Sequence, residues 1–193
     1  TTVLEAVPDA LALAGYVVAE SGSTFSLLTT DPGNLSPIDA IFYSINSATP
    51  LVYSAPFIVA DGTHSLSFFG RDAAKNTESA NDATLVVGPL ALANLILALL
   101  QDTTFTPDSS FNTSADRIEI VADATKVRDK IVSGQYSLAC KTIGNDFQAE
   151  LEGTTTGDKP RIVDPNLNAF YGALVQNLAD QIGCAATMVV SAS

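Results

Sequence analysis

The stretch DGTHSLSFFGRD, residues 61–72, decides how the first half of the chain is interpreted. Small polar residues alternate with Leu66 and Phe68 along it, and this period of two is typical of a β-strand with one buried face. An Asp-Gly pair opens the stretch, and both residue types favour turns. The pattern therefore predicts a turn followed by a strand over 64–71.

Similar short runs lie on both sides of this strand and are separated by turn residues. The further runs cover residues 11–18, 24–30, 40–45, 51–59 and 83–87. The run at 51–59 contains Pro56, which cannot donate to a strand ladder and so marks an edge or a bend. About six short strands joined by turns are typical of an all-β sandwich, which we predict for residues 1–88.

Four motifs in this half follow one another at the spacing of a known family of surface repeats. They are YSI at 43–45, YSAPF at 53–57, DGTHSL at 61–66 and RDAAKN at 71–76. Together they resemble the Ig-like modules related to the chitobiase C-terminal domain and the OmpL47-type repeat, over residues 15–79. The resemblance implies an Ig-like fold and a spacer or adhesion role without catalysis. Lys75 stands where the family usually has glycine.

The period changes from residue 89 onward, where we place the start of a second domain. Pro89 suits the first position of a helix, and residues 90–101 are apolar on nearly every face. Such a helix is expected to be buried in the core of its own domain. The alternative is an assembly contact with a neighbouring subunit, for which the candidate residues are Leu90, Leu92, Leu95, Ile96 and Leu99.

The rest of the second half mixes strand and helix signals, resembles no family, and predicts a small α+β domain over 89–193. The expected elements are a strand at 118–121, a helix capped by Asp123 and ending at Ser133, a hairpin pairing 135–143 with 147–152, a helix opened by Asp164 and Pro165 and stopped by Gly183, and a strand at 185–190. The chain as a whole is therefore expected to be mainly β followed by α+β.

Two cysteines, Cys140 and Cys184, both lie in the second half. Two cysteines without a nearby histidine cannot form a tetrahedral zinc site. We predict a disulfide between them, and two buried free thiols are the alternative.

Charge and hydropathy exclude several classes of partner. Nine Lys and Arg stand against 21 Asp and Glu, so the formal net charge is −12 and disfavours nucleic acid and anionic membrane surfaces. The longest apolar run, 89–100, is shorter than the roughly 20 residues of a membrane span. We therefore expect no membrane insertion.

Residue types that carry chemistry are sparse and scattered. His64, the single histidine, lies in a predicted strand, where a structural role is expected. Glu150 and Glu152 lie on one face of a predicted strand and are expected to be solvated. Asp and Asn in turns, such as Asp72 and Asn76, give a weak calcium signal and are expected to tie their own turns. No nucleotide, hydrolase or zincin motif occurs, so we predict no enzyme activity and no cofactor.

These observations predict a noncatalytic structural or adhesive protein of an extracellular surface assembly or filament. Its expected partners are further copies of the chain or other structural subunits. The segment 10–18 is expected to be either the first strand of its own sandwich or a strand added to a neighbour. Two alternatives are a virion decoration or tail protein, and an accessory module of a secreted glycoside hydrolase. Thr1 would follow a cleaved signal or a trimmed Met.

Overall fold

The computed structural model describes residues 2–7, 11–29, 36–152 and 160–184. The chain divides into two compact units, Thr1–Gly88 and Pro89–Ser193. The predicted strand at 185–190 lies outside the described residues.

The first unit is a sandwich of two β-sheets. Its strands are Thr2–Val7 (β1), Leu11–Leu13 (β2), Tyr16–Ala19 (β3), Thr24–Thr29 (β4), Ile38–Ile45 (β5), Leu51–Val52 (β6), Phe57–Ile58 (β7), Gly62–Asp72 (β8) and Asn81–Val87 (β9). One sheet has the order β1-β4-β7, and the other has the order β2-β3-β9-β8-β5-β6. All pairings are antiparallel except that of β3 with β9.

The two sheets share one hydrophobic core. Alternate residues of the longer strands supply it, as the sequence pattern predicts: Phe25 and Leu27 come from β4, and Leu66 and Phe68 come from β8. Their side chains are at most 5% exposed, and fully burying each stabilises by about 1.5–3 kcal/mol. The predicted β-sandwich is confirmed.

The run 51–59 proves to be two strands in different sheets. Leu51–Val52 joins the six-stranded sheet, and Phe57–Ile58 joins the three-stranded one. Pro56 lies between them, where the chain crosses from one sheet to the other and no ladder bond is lost. The run 11–18 is likewise a hairpin within its own sandwich, turned at Ala14 and Gly15, which both have positive φ. β1 was not expected from the sequence.

Lys75 adopts the left-handed backbone conformation that glycine favours, with φ of 71°. A side chain there costs about 1 kcal/mol. Its ammonium group lies 2.8 Å from the Asp39 carboxylate, an ion pair that offsets part of this cost. The turn therefore keeps the geometry expected of glycine although a lysine occupies the position.

The second unit is α-helical in its described residues, and the strands predicted at 118–121, 135–143 and 147–152 are helical there. Its helices are Pro89–Gln101 (α1), Ser114–Val132 (α2), Tyr136–Thr142 (α3), Gln148–Glu152 (α4) and Pro165–Gln181 (α5), with a π-helical turn over Ile143–Phe147. Within residues 89–152 and 160–184, β pairing is limited to the isolated bridge between Phe111 and Ile162.

The hairpin predicted over 135–152 is wrong. Ala139, Ile143, Phe147 and Leu151 are buried at a spacing of four, which is a helical period. The Gly-Asn-Asp segment that suggests a hairpin turn lies instead inside the π-helical turn, where it joins α3 to α4. Packing of this four-residue stripe therefore overrides the local turn preference.

The strand predicted at 118–121 and the helix start at Asp123 are also wrong, because α2 begins ten residues earlier. Thr113 caps it, and Asp116 completes a capping box with Thr113. Asp123 lies in the middle of the helix and is buried. By contrast, the cap at Asp164, Pro165 at the first position and the stop near Gly183, with φ of 72°, are confirmed.

α1 is buried within the second unit, where it packs on α2 and α5. Of the five proposed assembly residues, Leu92, Leu95, Ile96 and Leu99 are at most 9% exposed and contribute to the core. Leu90 is 41% exposed. The first four side chains are therefore core residues, and Leu90 alone of the five is accessible for a contact outside the unit.

Candidate functional site

A polar row crosses the outer face of the six-stranded sheet. Ser44 on β5 pairs with Ser67 on β8, and Ser67 pairs with Asp82 on β9. In the next row Ser65 pairs with Thr84. Because side chains alternate along a strand, these residues face away from the core that Leu66 and Phe68 fill on the other side.

These side chains surround an open cavity of about 240 Å³, here called the hydroxyl cavity. Its lining residues are Gly15, Ser44, Ser47, Ser65, Leu66, Ser67, Asp82, Ala83 and Thr84. Among the described residues, the Asp82 carboxylate and the Ser67 hydroxyl make no hydrogen bond to another side chain or to the backbone. The cavity therefore presents one free acceptor carboxylate and several hydroxyls, which both donate and accept.

An aromatic pair lies beside the hydroxyl cavity on the same face. The rings of Phe42 and Phe69 stack with centroids 5.3 Å apart, and the Arg71 guanidinium lies 4.8 Å from the Phe42 ring centroid. Arg71 also binds Asp39 at 2.8 Å. Hydrogen bonds from Lys75 and then Arg71 hold the pKa of the Asp39 carboxyl below its usual value. The cations of Arg71 and Lys75 are thus both committed to one carboxylate.

Both ring nitrogens of His64 are used in structural hydrogen bonds. Asn46 Oδ1 accepts from the backbone N–H of Ser65 at 3.1 Å, so the Asn46 amide nitrogen is the atom that donates to His64 Nδ1 at 3.0 Å. His64 Nε2 must then carry the proton and donate to the Ala60 carbonyl at 2.9 Å. The ring ties two turns to β8, which is the structural role predicted from the sequence.

The Asp and Asn turn residues do not assemble a metal site in the described part of the chain. Asp72 Oδ1 accepts from the Asn76 backbone N–H at 2.8 Å, and Asp72 Oδ2 accepts from the Asn76 amide at 2.9 Å. The pair therefore ties its own turn, as predicted, and this bonding lowers the Asp72 pKa. No group of three or more His, Cys, Asp or Glu among the described residues could hold a metal ion.

Glu150 is not on a solvated strand face, which corrects the sequence prediction. It lies on α4, its side chain is 13% exposed, and it binds Arg161 at 3.1 Å. Burial, and then the nearby Asp123 charge, raise the pKa of the Glu150 carboxyl to about 7. Its neighbours form a set here called the Arg161 cluster: Asp116, Glu119, Asp123, Lys126, Glu150 and Arg161.

Sequence reasoning missed the Arg161 cluster because its members come from three separate segments. A partial signal was present, since Asp116, Glu119 and Asp123 are spaced by three and four residues and share one face of a helix. That signal could be recognised only if the helix were known to begin near Thr113.

The structure joins Cys140 on α3 to Cys184, just after α5, in a disulfide. This bears out the pairing predicted from the cysteine count. Among the described residues, no helix combines the length and the apolar character needed to cross a membrane.

Comparison with known proteins adds little to these observations. The chain matches no protein-family model, and no curated protein is similar to it. It is similar to a fibronectin(III)-like module of Clostridium thermocellum CbhA, at 13% identity and a TM-score of 0.30, over 46% of this chain and 97% of that one. Because this likeness is weak, the sandwich assignment rests on the sheet order and the shared core.

Proposed function

We propose that this chain is a noncatalytic structural protein of an extracellular surface assembly, built on an Ig-like module of the OmpL47 or chitobiase C-terminal type. The observation that carries the proposal is an exposed apolar face on the three-stranded sheet. This apolar face consists of Val3, Val7, Leu28 and Ile58, which are 42–66% exposed. Solvent-facing sheet positions are usually polar, so four large apolar side chains there favour a protein contact.

The register places these side chains on one surface. Val3 lies opposite Leu28, and Val7 lies opposite Thr24, which in turn lies opposite Ile58. Alternate residues of the same strands, such as Phe25, point into the core. The exposed set therefore lies on the second face of a sheet whose first face is already buried, with Glu5 and Ser26 between its two ends.

The apolar face adjoins a strand edge. β1 is the outermost strand in the described three-stranded sheet, so one side of its six residues pairs with β4 and the other pairs with no described strand. Free backbone N–H and C=O groups on an edge strand can pair with another chain. The unpaired edge of β1 and the apolar face therefore belong to the same sheet. Together they support the association of further copies of the chain.

The disulfide and the acidic composition favour an oxidising, extracellular setting. Disulfides persist in secreted and surface proteins and are rare in reducing compartments. The net charge of −12 disperses monomers by mutual repulsion, so an assembly must bury enough apolar surface to overcome it.

Association is therefore expected to strengthen with salt and to depend on the apolar face. Replacing Val7 and Ile58 together by threonine keeps β-branched side chains but removes apolar surface, and should weaken association about tenfold, which is about 1.4 kcal/mol. Raising ionic strength should strengthen it by screening. Sedimentation velocity over a concentration series at low and high salt measures both effects.

The matched control is Leu51→Thr, which changes an exposed apolar residue at the edge of the other sheet. It should leave association unchanged. A wild-type chain that stays monomeric at high concentration in both salt conditions contradicts the proposal.

The hydroxyl cavity favours a second candidate, an accessory module that binds carbohydrate. A neutral polyhydroxylated ligand suits one free carboxylate and several hydroxyls, because sugar hydroxyls donate to Asp82 and exchange hydrogen bonds with Ser67. An anionic ligand is disfavoured, since the neighbouring cations are bound to Asp39.

Retention on immobilised neutral polysaccharides tests this second candidate. Asp82→Asn replaces a charged acceptor oxygen by an amide donor, and Ser67→Val removes a hydroxyl, so each should weaken retention about tenfold. Glu5→Gln, on the opposite sheet, is the control and should bind as wild type. Absence of retention by the wild-type chain refutes the binding role and leaves the assembly proposal standing.

A further inference from the structure

The Arg161 cluster joins three segments of the second unit. Arg161 Nη1 binds Asp116 Oδ1 at 2.7 Å, and Arg161 Nη2 contacts Glu119, both on α2. The same Nη2 binds Glu150 Oε1 on α4 at 3.1 Å. The Arg161 backbone N–H also donates to the Glu150 carbonyl at 3.0 Å. α4 is therefore held to α2 through Arg161.

The charges of this cluster do not balance. Four carboxyls face the cations of Arg161 and Lys126, and Lys126 contacts Asp123 from the solvent side. Asp123 is 7% exposed and Glu150 is 13% exposed, so water screens neither carboxyl well. Glu150 Oε2 is buried and has no hydrogen-bond partner. A poorly hydrated Glu150 carboxyl near the negative charge of Asp123 is more stable when Glu150 holds a proton.

We propose that Glu150 and Asp123 form a proton-operated latch, in which one proton keeps α4 on α2 and its loss near neutral pH releases α4. The latch goes beyond the proposed function and does not depend on it. It is a conformational device within the second unit.

The direction of the pH effect follows from the environment of Glu150. Its pKa is raised from 4.5 to about 7, first by burial and then by the Asp123 charge, while Arg161 acts in the opposite direction. A carboxyl whose folded pKa is raised contributes stability below its ordinary pKa and loses it as pH rises through the folded value. Opening of the latch is therefore least favoured in acid, rises as pH increases from about 4.5 to about 7, and levels off above that value.

The other charged groups near the latch do not change their charge in the pH range in which Glu150 titrates. Asp116 has a lowered pKa, so its ion pair with Arg161 is lost only in strong acid. Asp146 in the π-helical turn adds negative charge near Lys126, whose pKa is raised mainly by its hydrogen bond with Asp123. From α5, the group that reaches α4 is the uncharged Asn168 amide, which donates to the Leu151 carbonyl at 2.6 Å.

Release of α4 uncovers apolar surface. Leu151 on α4 and Phe147 in the adjoining π-helical turn are 2% and 1% exposed when the latch is closed. π-helical turns are rare and occur frequently at functional sites. When Glu150 loses its proton and α4 is released, the apolar side chains of Leu151 and Phe147 therefore become exposed.

Amide hydrogen exchange of α4 in the full chain tests the latch, with rates corrected for the intrinsic effect of pH. The opening equilibrium of α4 should rise about 30-fold between pH 5.5 and 8.5, given a carboxyl that titrates near 7 when closed and near 4.5 when open. Glu150→Gln, a neutral isostere of the protonated acid, should keep α4 protected and remove this dependence. Glu119→Gln, which changes a more exposed partner of Arg161, should retain it.

A second variant keeps the proposal testable if Glu150→Gln does not fold. Asp123→Asn removes the neighbouring charge, so it should move the Glu150 titration, followed by carboxyl carbon NMR, to lower pH and reduce the pH-dependent rise in α4 opening. A wild-type Glu150 that titrates near 4.5, or α4 exchange that responds to pH equally in wild type and Glu150→Gln, overturns the latch.

Discussion

Reduction of the Cys140–Cys184 disulfide is expected to lower the free energy of unfolding of the second unit by about 3–4 kcal/mol. The two cysteines are 44 residues apart, and the bond removes the freedom of that loop in the unfolded chain. It also joins α3 to the end of α5, so both helices lose a shared anchor. For a unit of about 100 residues, the melting temperature should fall by about 12–25 °C.

Thermal unfolding with and without dithiothreitol measures this effect. The double variant Cys140→Ser, Cys184→Ser is the control, because it should melt at the temperature of the reduced protein and not respond to reductant. Two reactive thiols in the unreduced, denatured chain would contradict the expectation. So would a melting temperature that reduction leaves unchanged.

Arg117→Ala is expected to cost about 3–5 kcal/mol, the range for breaking a buried charged network. Arg117 is 14% exposed and comes from α2. It donates to the carbonyls of Leu100, at the end of α1, and Thr106, and it pairs with Asp108 at 2.9 Å. α1 has no basic residue in its own last turn, so Arg117 supplies the cation there.

Thr106 extends this network into the core. Its hydroxyl donates to the Leu99 carbonyl at 2.8 Å, so the Tyr171 hydroxyl, 2.6 Å away, must donate to it. Burial raises the Tyr171 pKa to about 12, and the phenol stays protonated. Loss of Arg117 therefore disturbs α1 and α5 together.

Chemical denaturation of matched variants tests the Arg117 network. Arg117→Lys should recover only part of the loss, since a single ammonium group cannot reproduce the planar fork that serves two carbonyls. Arg128→Ala, on the same helix but paired with the exposed Asp129, should cost less than about 1 kcal/mol. Equal effects for Arg117→Ala and Arg128→Ala would contradict the proposed role.

The sequence predictions failed in two places, one through nonlocal packing and one through a misleading local signal. The hairpin predicted over 135–152 followed a local turn signal, but the buried stripe from Ala139 to Leu151 is satisfied only against other helices. The start of α2 was missed because Thr113 follows a loop that carries several turn residues. Local preferences amount to tenths of a kcal/mol per residue, and burial of one large side chain exceeds them.

Features that short-range chemistry controls could be predicted from the amino-acid order alone. These are the alternation that makes β8 a strand and the Asp164 cap and Pro165 start of α5; the disulfide could also be predicted, because the sequence holds only two cysteines to pair. Tertiary structure alone decided the apolar face, the hydroxyl cavity and the Arg161 cluster. Each is assembled from residues distant in sequence, and neither the burial of Glu150 nor the exposure of Ile58 is defined until the chain around it has folded.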